Sequence, residues 1–127
     1  MTIVTTIGYV LTGLLAVGII FVGARFLVAP RVAAVGYGVL PDVDETSVRA
    51  YLSVKGVRDI ATGLVVAILM VAGAAHLLGW VILAATIIPL ADAAIVLRSG
   101  GARGIAFGVH GVTAAVMLVT AALLLVS

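Results

Sequence analysis

Six ionisable side chains of this chain stand within or beside apolar stretches, where charged groups are rare. Three of them, together with a threonine, follow the i, i+3, i+4, i+7 spacing that places side chains on one face of a helix. These four residues are Lys55, Arg58, Asp59 and Thr62. The spacing predicts that Lys55 pairs directly with Asp59. The other three ionisable side chains are Arg25, Asp92 and His110.

These residue types could form a polar site inside a membrane. An arginine binds anionic groups, a carboxylate accepts hydrogen bonds, and a histidine changes its charge near neutral pH. We expect Arg58 to engage an anionic or carbonyl group of a ligand, and His110 to supply adjustable protonation. Asp59 and Asp92 would hold the basic residues and accept hydrogen bonds. In the alternative, the same charges only fix how the helices pack.

The composition predicts which elements carry these residues. Hydrophobic residues make up 65% of the 127 residues and charged residues 9%, against about 25% charged in a soluble domain, so a soluble globule is excluded. About 20 apolar residues cross a bilayer core of ~30 Å, and the chain has room for four such runs. We predict an all-α polytopic membrane protein, a four-transmembrane-helix bundle that forms a single domain over residues 1–127. The predicted helices cover residues 3–28, 48–72, 77–97 and 104–126.

The basic residues predict the direction of these helices. All seven lie in or near the connections between runs one and two and between runs three and four; they are Arg25, Arg31, Arg49, Lys55, Arg58, Arg98 and Arg103. By the positive-inside rule both connections are cytoplasmic, and the N-terminus and the C-terminus are outside. The preference for Arg over Lys, with abundant Ala, Val and Gly, is typical of a GC-rich bacterial genome. We therefore expect a multi-pass protein of the bacterial cytoplasmic (inner) membrane.

The six ionisable side chains should also lie at one depth. At 1.5 Å per residue they reach roughly 6–15 Å below the cytoplasmic boundary, so they can meet in one layer. Pro89 removes a hydrogen bond to the carbonyl of Ala85 and should kink the third helix one turn before Asp92. A carbonyl freed beside an acid suits a polar cavity.

Several other patterns favour structure over chemistry. Gly104 and Gly108 form a Gly-x-x-x-Gly motif, which is typical of close helix packing or of a homo-oligomer. The string Val35–Gly38 matches the core of a potassium-channel filter, but no segment of pore-helix length lies between Pro30 and it. We interpret this string as a Gly-rich interfacial or re-entrant turn.

The composition also limits cofactors and partners. The absence of cysteine excludes disulfides and thiolate metal sites. We expect no metal site and no cofactor. The basic residues form no Lys/Arg-rich stripe, so we expect no nucleic-acid partner; the lipid bilayer is the expected surrounding.

Three sequence elements, in this order, resemble a known family: Gly56–Gly63, Ile88–Asp92 and the pair His110-Gly111. They are similar to the small integral membrane proteins of the domain-of-unknown-function family numbered 4267, which look like distant relatives of the DoxX-like four-helix membrane proteins. The resemblance implies a four-helix bundle of unassigned activity. It supports treating Arg58, Asp59, Asp92 and His110 as one set, and it transfers no reaction.

We therefore expect an integral membrane protein with a cytoplasm-facing intramembrane polar pocket that binds a small amphipathic or lipid-like ligand. One alternative is a small proton-coupled exporter that works as a dimer, with Asp59 or Asp92 alternately protonated. A second is an intramembrane isomerase or cyclase that uses His110 and an aspartate as acid and base. A third is a scaffold or subunit without pocket chemistry. The sequence favours a binding protein over an enzyme and assigns no catalytic residue.

Overall fold

The computed structural model describes residues 1–39 and 45–127. Within these ranges the chain is all-α, with no β-strand. The elements in chain order are α1 (Ile3–Val28), α2 (Pro30–Tyr37), α3 (Thr46–Val71), α4 (Ala75–Ala85), α5 (Ile87–Arg98), α6 (Arg103–Ile105), a π-helical segment (Ala106–Gly111) and α7 (Val112–Val126). Most of the acidic, proline-containing loop expected before α3, at residues 41–44, lies outside the described residues.

Helices α1 and α3 form the most extensive helix pair of the fold. Helix α1 begins after Thr2, whose side chain accepts a hydrogen bond from the Thr5 N–H at 3.1 Å. The two backbones approach closely where glycines face each other, because a Cβ added at Gly23 would lie 2.5 Å from the carbonyl oxygen of Gly56. This close contact sets the position of the polar face of α3 relative to α1.

Helices α4 and α7 form the second closely packed pair. Leu78 and Ile82 of α4 meet Ala121 and Leu124 of α7 in a buried apolar cluster. Helix α1 joins this pair at Gly8, where an added Cβ would lie 2.7 Å from a methyl carbon of Leu124. Because Gly8 is near the start of α1 and Leu124 is near the end of α7, both termini of the chain lie at the same end of the bundle.

The helix between residues 75 and 98 is interrupted at Thr86, three residues before Pro89. A proline nitrogen cannot donate to the carbonyl four residues earlier, here that of Ala85. The Thr86 hydroxyl donates to a different carbonyl, that of Ile82, at 2.9 Å, and this carbonyl also accepts from the Thr86 N–H. The interruption separates α4 from α5, which carries Asp92.

Helix α2 corrects the interpretation of Val35–Gly38 as a Gly-rich interfacial or re-entrant turn. Pro30 stands at the first position of α2, where its missing N–H costs nothing. The helix ends at Gly38, whose φ of 98° is accessible to glycine and whose N–H donates to the carbonyl of Ala34 at 3.1 Å. Residues 35–37 are therefore helical, and the ring of Tyr37 is brought against the bundle.

Three helical stretches are long and apolar enough to cross a membrane. They are Ile3–Val28, Ala75–Arg98 and Arg103–Val126. Helix α3 has 26 residues but carries three charged side chains, at Lys55, Arg58 and Asp59, close to its middle. Apart from Thr62 it is apolar only from Ile60 to Val71, which covers about 18 Å. The structure therefore gives three candidate spans, and the chain is a helical membrane protein.

We call the end of the bundle opposite to the termini the basic end. Helix α1 ends there and α3 begins there. The turn from α5 to α6 lies there as well, because Gly38, at the end of α2, is in contact with Val96 of α5 and Ile105 of α6. All seven basic residues lie in this half of the molecule.

Candidate functional site

Tyr37 is the centre of the polar contacts at the basic end. It is the last residue of α2, and its phenol donates a hydrogen bond to Oδ2 of Asp92 on α5. Nε2 of His110 lies 2.8 Å from the main-chain carbonyl oxygen of Tyr37. A carbonyl oxygen can only accept, so Nε2 of His110 carries the proton. The rings of Tyr37 and His110 also meet edge to face, with centroids 4.4 Å apart.

Lys55 reaches the same tyrosine from α3. Its Nζ atom lies 4.2 Å from the ring centroid of Tyr37 and 4.3 Å from that of Phe26 on α1. The same atom lies 2.6 Å from Oδ2 of Asp59, so the predicted Lys55–Asp59 pair is confirmed. The ammonium is thus held by a carboxylate and by two aromatic faces, a favourable arrangement for a cation removed from water.

The local electrostatics keep the phenol of Tyr37 neutral. Tyr37 lies on α2, outside the three candidate spans. Burial raises the pKa of its phenol above the ordinary value near 10, and the hydrogen bond to Asp92 and the negative charges of Asp92 and Asp59 raise it further. Tyr37 therefore serves as a hydrogen-bond donor and as an aromatic surface, and not as an anion.

Four of the six predicted ionisable side chains thus join this cluster: Lys55, Asp59, Asp92 and His110. We call these four, with Tyr37 and Phe26, the Tyr37 cluster. No buried side-chain nitrogen or oxygen lacks a hydrogen-bond partner in the part of the chain that the structure describes. The cluster is therefore internally satisfied when Tyr37 is in place.

The guanidinium groups of two predicted residues do not join the cluster. The guanidinium carbon of Arg25 lies 5.8 Å from the ring centroid of Phe21, an exposed residue of the same helix. The side chain of Arg58 is exposed, and no ion pair or hydrogen bond forms on it within residues 1–39 and 45–127. The structure places Arg58 beside the cluster on α3 without bringing its guanidinium into it.

The glycine motif also lies away from other helices. Gly104 and Gly108 are exposed, and a Cβ added at either would meet no atom of the described chain within 4 Å. Gly108 stands in the π-helical segment, whose hydrogen bonds run from i to i+5, so residues four apart do not stack as they do in an α-helix. Within one chain this pair makes no close helix contact.

Threonine hydroxyls near the site are committed to their own helices. Thr113 donates to the carbonyl of Val109 at 2.7 Å, and Thr62 donates to that of Arg58 at 2.8 Å. Among the described residues, no three His, Cys, Asp or Glu side chains lie together as a metal site would require. The available chemistry is that of one carboxylate, one ion pair, one imidazole and one phenol.

Sequence reasoning missed Tyr37 and Phe26 as members of the site. Neither residue is charged, so the pattern of intramembrane ionisable groups does not point to them. One available signal was a tyrosine next to a glycine after Pro30, since an amphipathic ring beside a helix-ending glycine fits a short helix that caps a polar site.

The comparisons with known proteins identify a family and name no activity. A family model described as Domain of unknown function (DUF4267) matches residues 16–124. No curated protein and no solved structure matches the chain. The matched range includes every member of the Tyr37 cluster.

Proposed function

This chain belongs to the DUF4267 family, and we propose that it is a membrane-embedded binding protein whose Tyr37 cluster takes the polar head of a small amphipathic or lipid-like ligand. One observation carries the proposal. The carboxylate of Asp92 on α5 and the ammonium of Lys55 on α3 both contact the same phenol, which is delivered by a third element. A hydroxyl or carbonyl-bearing head group has the chemistry to replace that phenol.

The packing around the cluster supports access from the membrane. Helix α3 packs mainly on α1, whereas α5 packs on the π-helical segment. Tyr37 therefore lies between α3 and α5, and each of these two helices is held in place by a different neighbour. Lys55 and Asp59 keep side-chain exposures of 29% and 16%. Exposed apolar residues of α5 flank Asp92 one turn to either side, at Ile88 and Ile95. A ligand tail would lie along these residues with its head at Asp92.

We further propose that α3 is the fourth membrane crossing and that the basic end faces the cytoplasm of a bacterial cell. With 26 residues α3 is about 39 Å long, more than the ~30 Å of a bilayer core. It runs antiparallel to α1, and both termini lie at the end opposite to the basic residues. The positive-inside rule then places the termini outside. Cysteine substitutions at Thr2 and Ser99, labelled from either side of intact cells, test this orientation.

The binding proposal is tested by the molecules that purify with the protein. The wild type and Asp92→Asn are extracted in a mild detergent, and the organic extract of each is compared by mass spectrometry. Glu45→Gln is the matched control, because it makes the same acid-to-amide change on an exposed residue at the start of α3. We expect Asp92→Asn to reduce the bound amphiphile about tenfold or more, since a hydrogen bond to a charged acceptor is lost.

The control variant should retain the bound amphiphile at the wild-type level. The helical content of both variants is checked by circular dichroism, so that loss of fold is recognised. If folded Asp92→Asn retains the same amphiphile as the wild type, the Tyr37 cluster is not the binding site and the proposal fails.

A second candidate is a proton-coupled exporter that works as a dimer, and the partner of Asp92 favours it. Asp92 is bound to a neutral phenol, whereas Asp59 is bound to a cation. A phenol can donate to a carboxylate or accept from a carboxylic acid, so Tyr37 can hold Asp92 in either protonation state. Proton release when an amphiphilic cation is added to the protein in weakly buffered detergent would support this candidate. A pure binding protein need release none.

A further inference from the structure

We propose that Arg58 holds the phosphate of a bilayer phospholipid on the outer face of α3. This site is separate from the Tyr37 cluster; it rests on the proposed membrane crossing of α3 and not on ligand binding by the cluster. The proposal starts from a charge that the described chain does not balance. The side chain of Arg58 is exposed and without a partner among residues 1–39 and 45–127.

The two acids of the Tyr37 cluster are already committed. Asp59, its neighbour in sequence, binds Lys55 at 2.6 Å. Asp92 accepts the hydrogen bond from Tyr37. The anion that neutralises Arg58 must therefore come from outside the cluster.

The surface around Arg58 is an apolar helix stripe. Six residues of α3 at alternating spacings of three and four are all exposed: Tyr51, Val54, Arg58, Ala61, Val65 and Ile68. Such spacing places them along one side of the helix. From Arg58 to Ile68 the stripe extends about 15 Å, and the stretch beyond Arg58 contains only apolar residues. An acyl chain fits this stretch, with the head group at Arg58.

The other end of the stripe marks the head-group level. Tyr51 is 77% exposed, and an amphipathic tyrosine is typical of the membrane interface. Arg58 lies about 10 Å further along the helix than Tyr51. At that depth an arginine reaches toward the interface or draws an anion toward itself.

A phosphate suits the guanidinium better than other membrane groups do. The planar fork of arginine makes two parallel hydrogen bonds to phosphate oxygens. A second copy of this chain is the less suitable occupant, because two copies that met through this stripe around a two-fold axis would bring their Arg58 side chains together. The charge of Arg58 and the apolar stripe beside it point to one diacyl phospholipid.

The test uses the full chain in nanodiscs made of equal amounts of phosphatidylcholine and phosphatidylglycerol. The protein is released in the gas phase, and retained phospholipid is counted by native mass spectrometry. We expect Arg58→Gln to lower the occupancy of one retained phospholipid about tenfold. Arg49→Gln is the matched control on an exposed arginine of the same helix outside the stripe, and it should leave the occupancy unchanged.

Two further measurements identify the bound group. Arg58→Lys keeps the charge but loses the fork, so we expect an intermediate occupancy. If the phosphate is recognised, diacylglycerol added to the nanodiscs should not be retained by the protein. If the acyl chains contribute, millimolar inorganic phosphate should not displace the bound phospholipid. Displacement by free phosphate would assign the site to a soluble anion and overturn the lipid assignment.

The remaining outcomes are also decisive. If Arg58→Gln, folded by circular dichroism, retains phospholipid as the wild type does, the proposal is wrong. If instead a wild-type dimer becomes a monomer in Arg58→Gln with no change in lipid, the stripe is a contact between copies. The amphiphile measured in Asp92→Asn reports on the Tyr37 cluster alone, so failure of one proposal leaves the other standing.

Discussion

Replacing Tyr37 by phenylalanine removes one hydroxyl and so tests whether the phenol holds the cluster together. The ring remains against Phe26 and His110, while Asp92 loses the donor that binds its Oδ2 atom. Hydrogen bonds to charged groups contribute about 1.5–3 kcal/mol, and intramembrane hydrogen bonds average about 0.6 kcal/mol. Because the acceptor is a carboxylate among apolar helices, we expect the free energy of unfolding to fall by about 1.5–2 kcal/mol.

The assay is equilibrium unfolding in mixed detergent micelles, followed by circular dichroism and by the fluorescence of the single tryptophan, Trp80. A cycle with Asp92→Leu isolates the pair, and we expect a coupling energy of about 1–2 kcal/mol between the two changes. Tyr51→Phe is the control, because Tyr51 is 77% exposed, and it should change stability by less than about 0.5 kcal/mol. A coupling energy near zero would refute the role given to the phenol.

Three further predictions concern packing, charge and pH. Gly23→Ala should destabilise the protein by about 1–3 kcal/mol, because its methyl group would lie 2.5 Å from a backbone oxygen of α3. Gly18→Ala is the control, because the space around Gly18 is open. In the same unfolding assay it should be neutral or stabilise the protein by up to about 1 kcal/mol. Lys55→Met should cost about 1–3 kcal/mol by leaving Asp59 unpaired, and adding Asp59→Leu should restore most of the loss in thermal unfolding. The raised pKa of Tyr37 favours its neutral form in the folded state, so its contribution is complete below about pH 10 and is lost as the pH rises further; stability above pH 10 should fall more steeply in the wild type than in Tyr37→Phe.

The first helix shows how much local chemistry predicts. The bounds predicted for it, residues 3–28, are those of α1, because the apolar run ends at a proline that cannot continue it. The pairing of Lys55 with Asp59 was predictable for a similar reason, since a separation of four residues brings side chains together on any α-helix.

Helix α2 shows where such reasoning stops. Pro30 ends one helix and equally well begins another, because the first position of a helix needs no N–H donor. Helix α2 has only eight residues, Pro30 included, before Gly38, too few for a periodic pattern to identify a helix. The fold holds α2 in place through Ala33 and Ala34 against Phe26 of α1, with Leu52 of α3 packed against the same residues; these are contacts between separate helices, which the local sequence does not encode.

The π-helical segment likewise limits what the sequence predicts about His110. Its single extra residue per turn changes which residues share a face, and no residue type requires it. Counting in α-helical turns from Arg103 gives the distance of His110 along its helix but cannot give its direction. The structure turns His110 toward the carbonyl of Tyr37, 2.8 Å away, so tertiary contacts decide the orientation that periodicity leaves open.

The position of α2 and the charges of the cluster are therefore linked. One phenol contacts Asp92 and Lys55, and the carbonyl of the same residue accepts from His110. A displacement of Tyr37 would leave the carboxylate of Asp92 without its donor and the ammonium of Lys55 without one of its two aromatic faces. Both charged groups are costly to leave exposed to hydrocarbon. Under the proposed function, a ligand head that bridges Asp92 and Lys55 would restore both contacts at once. An apolar molecule would restore neither, so we expect bound ligands to carry a polar head.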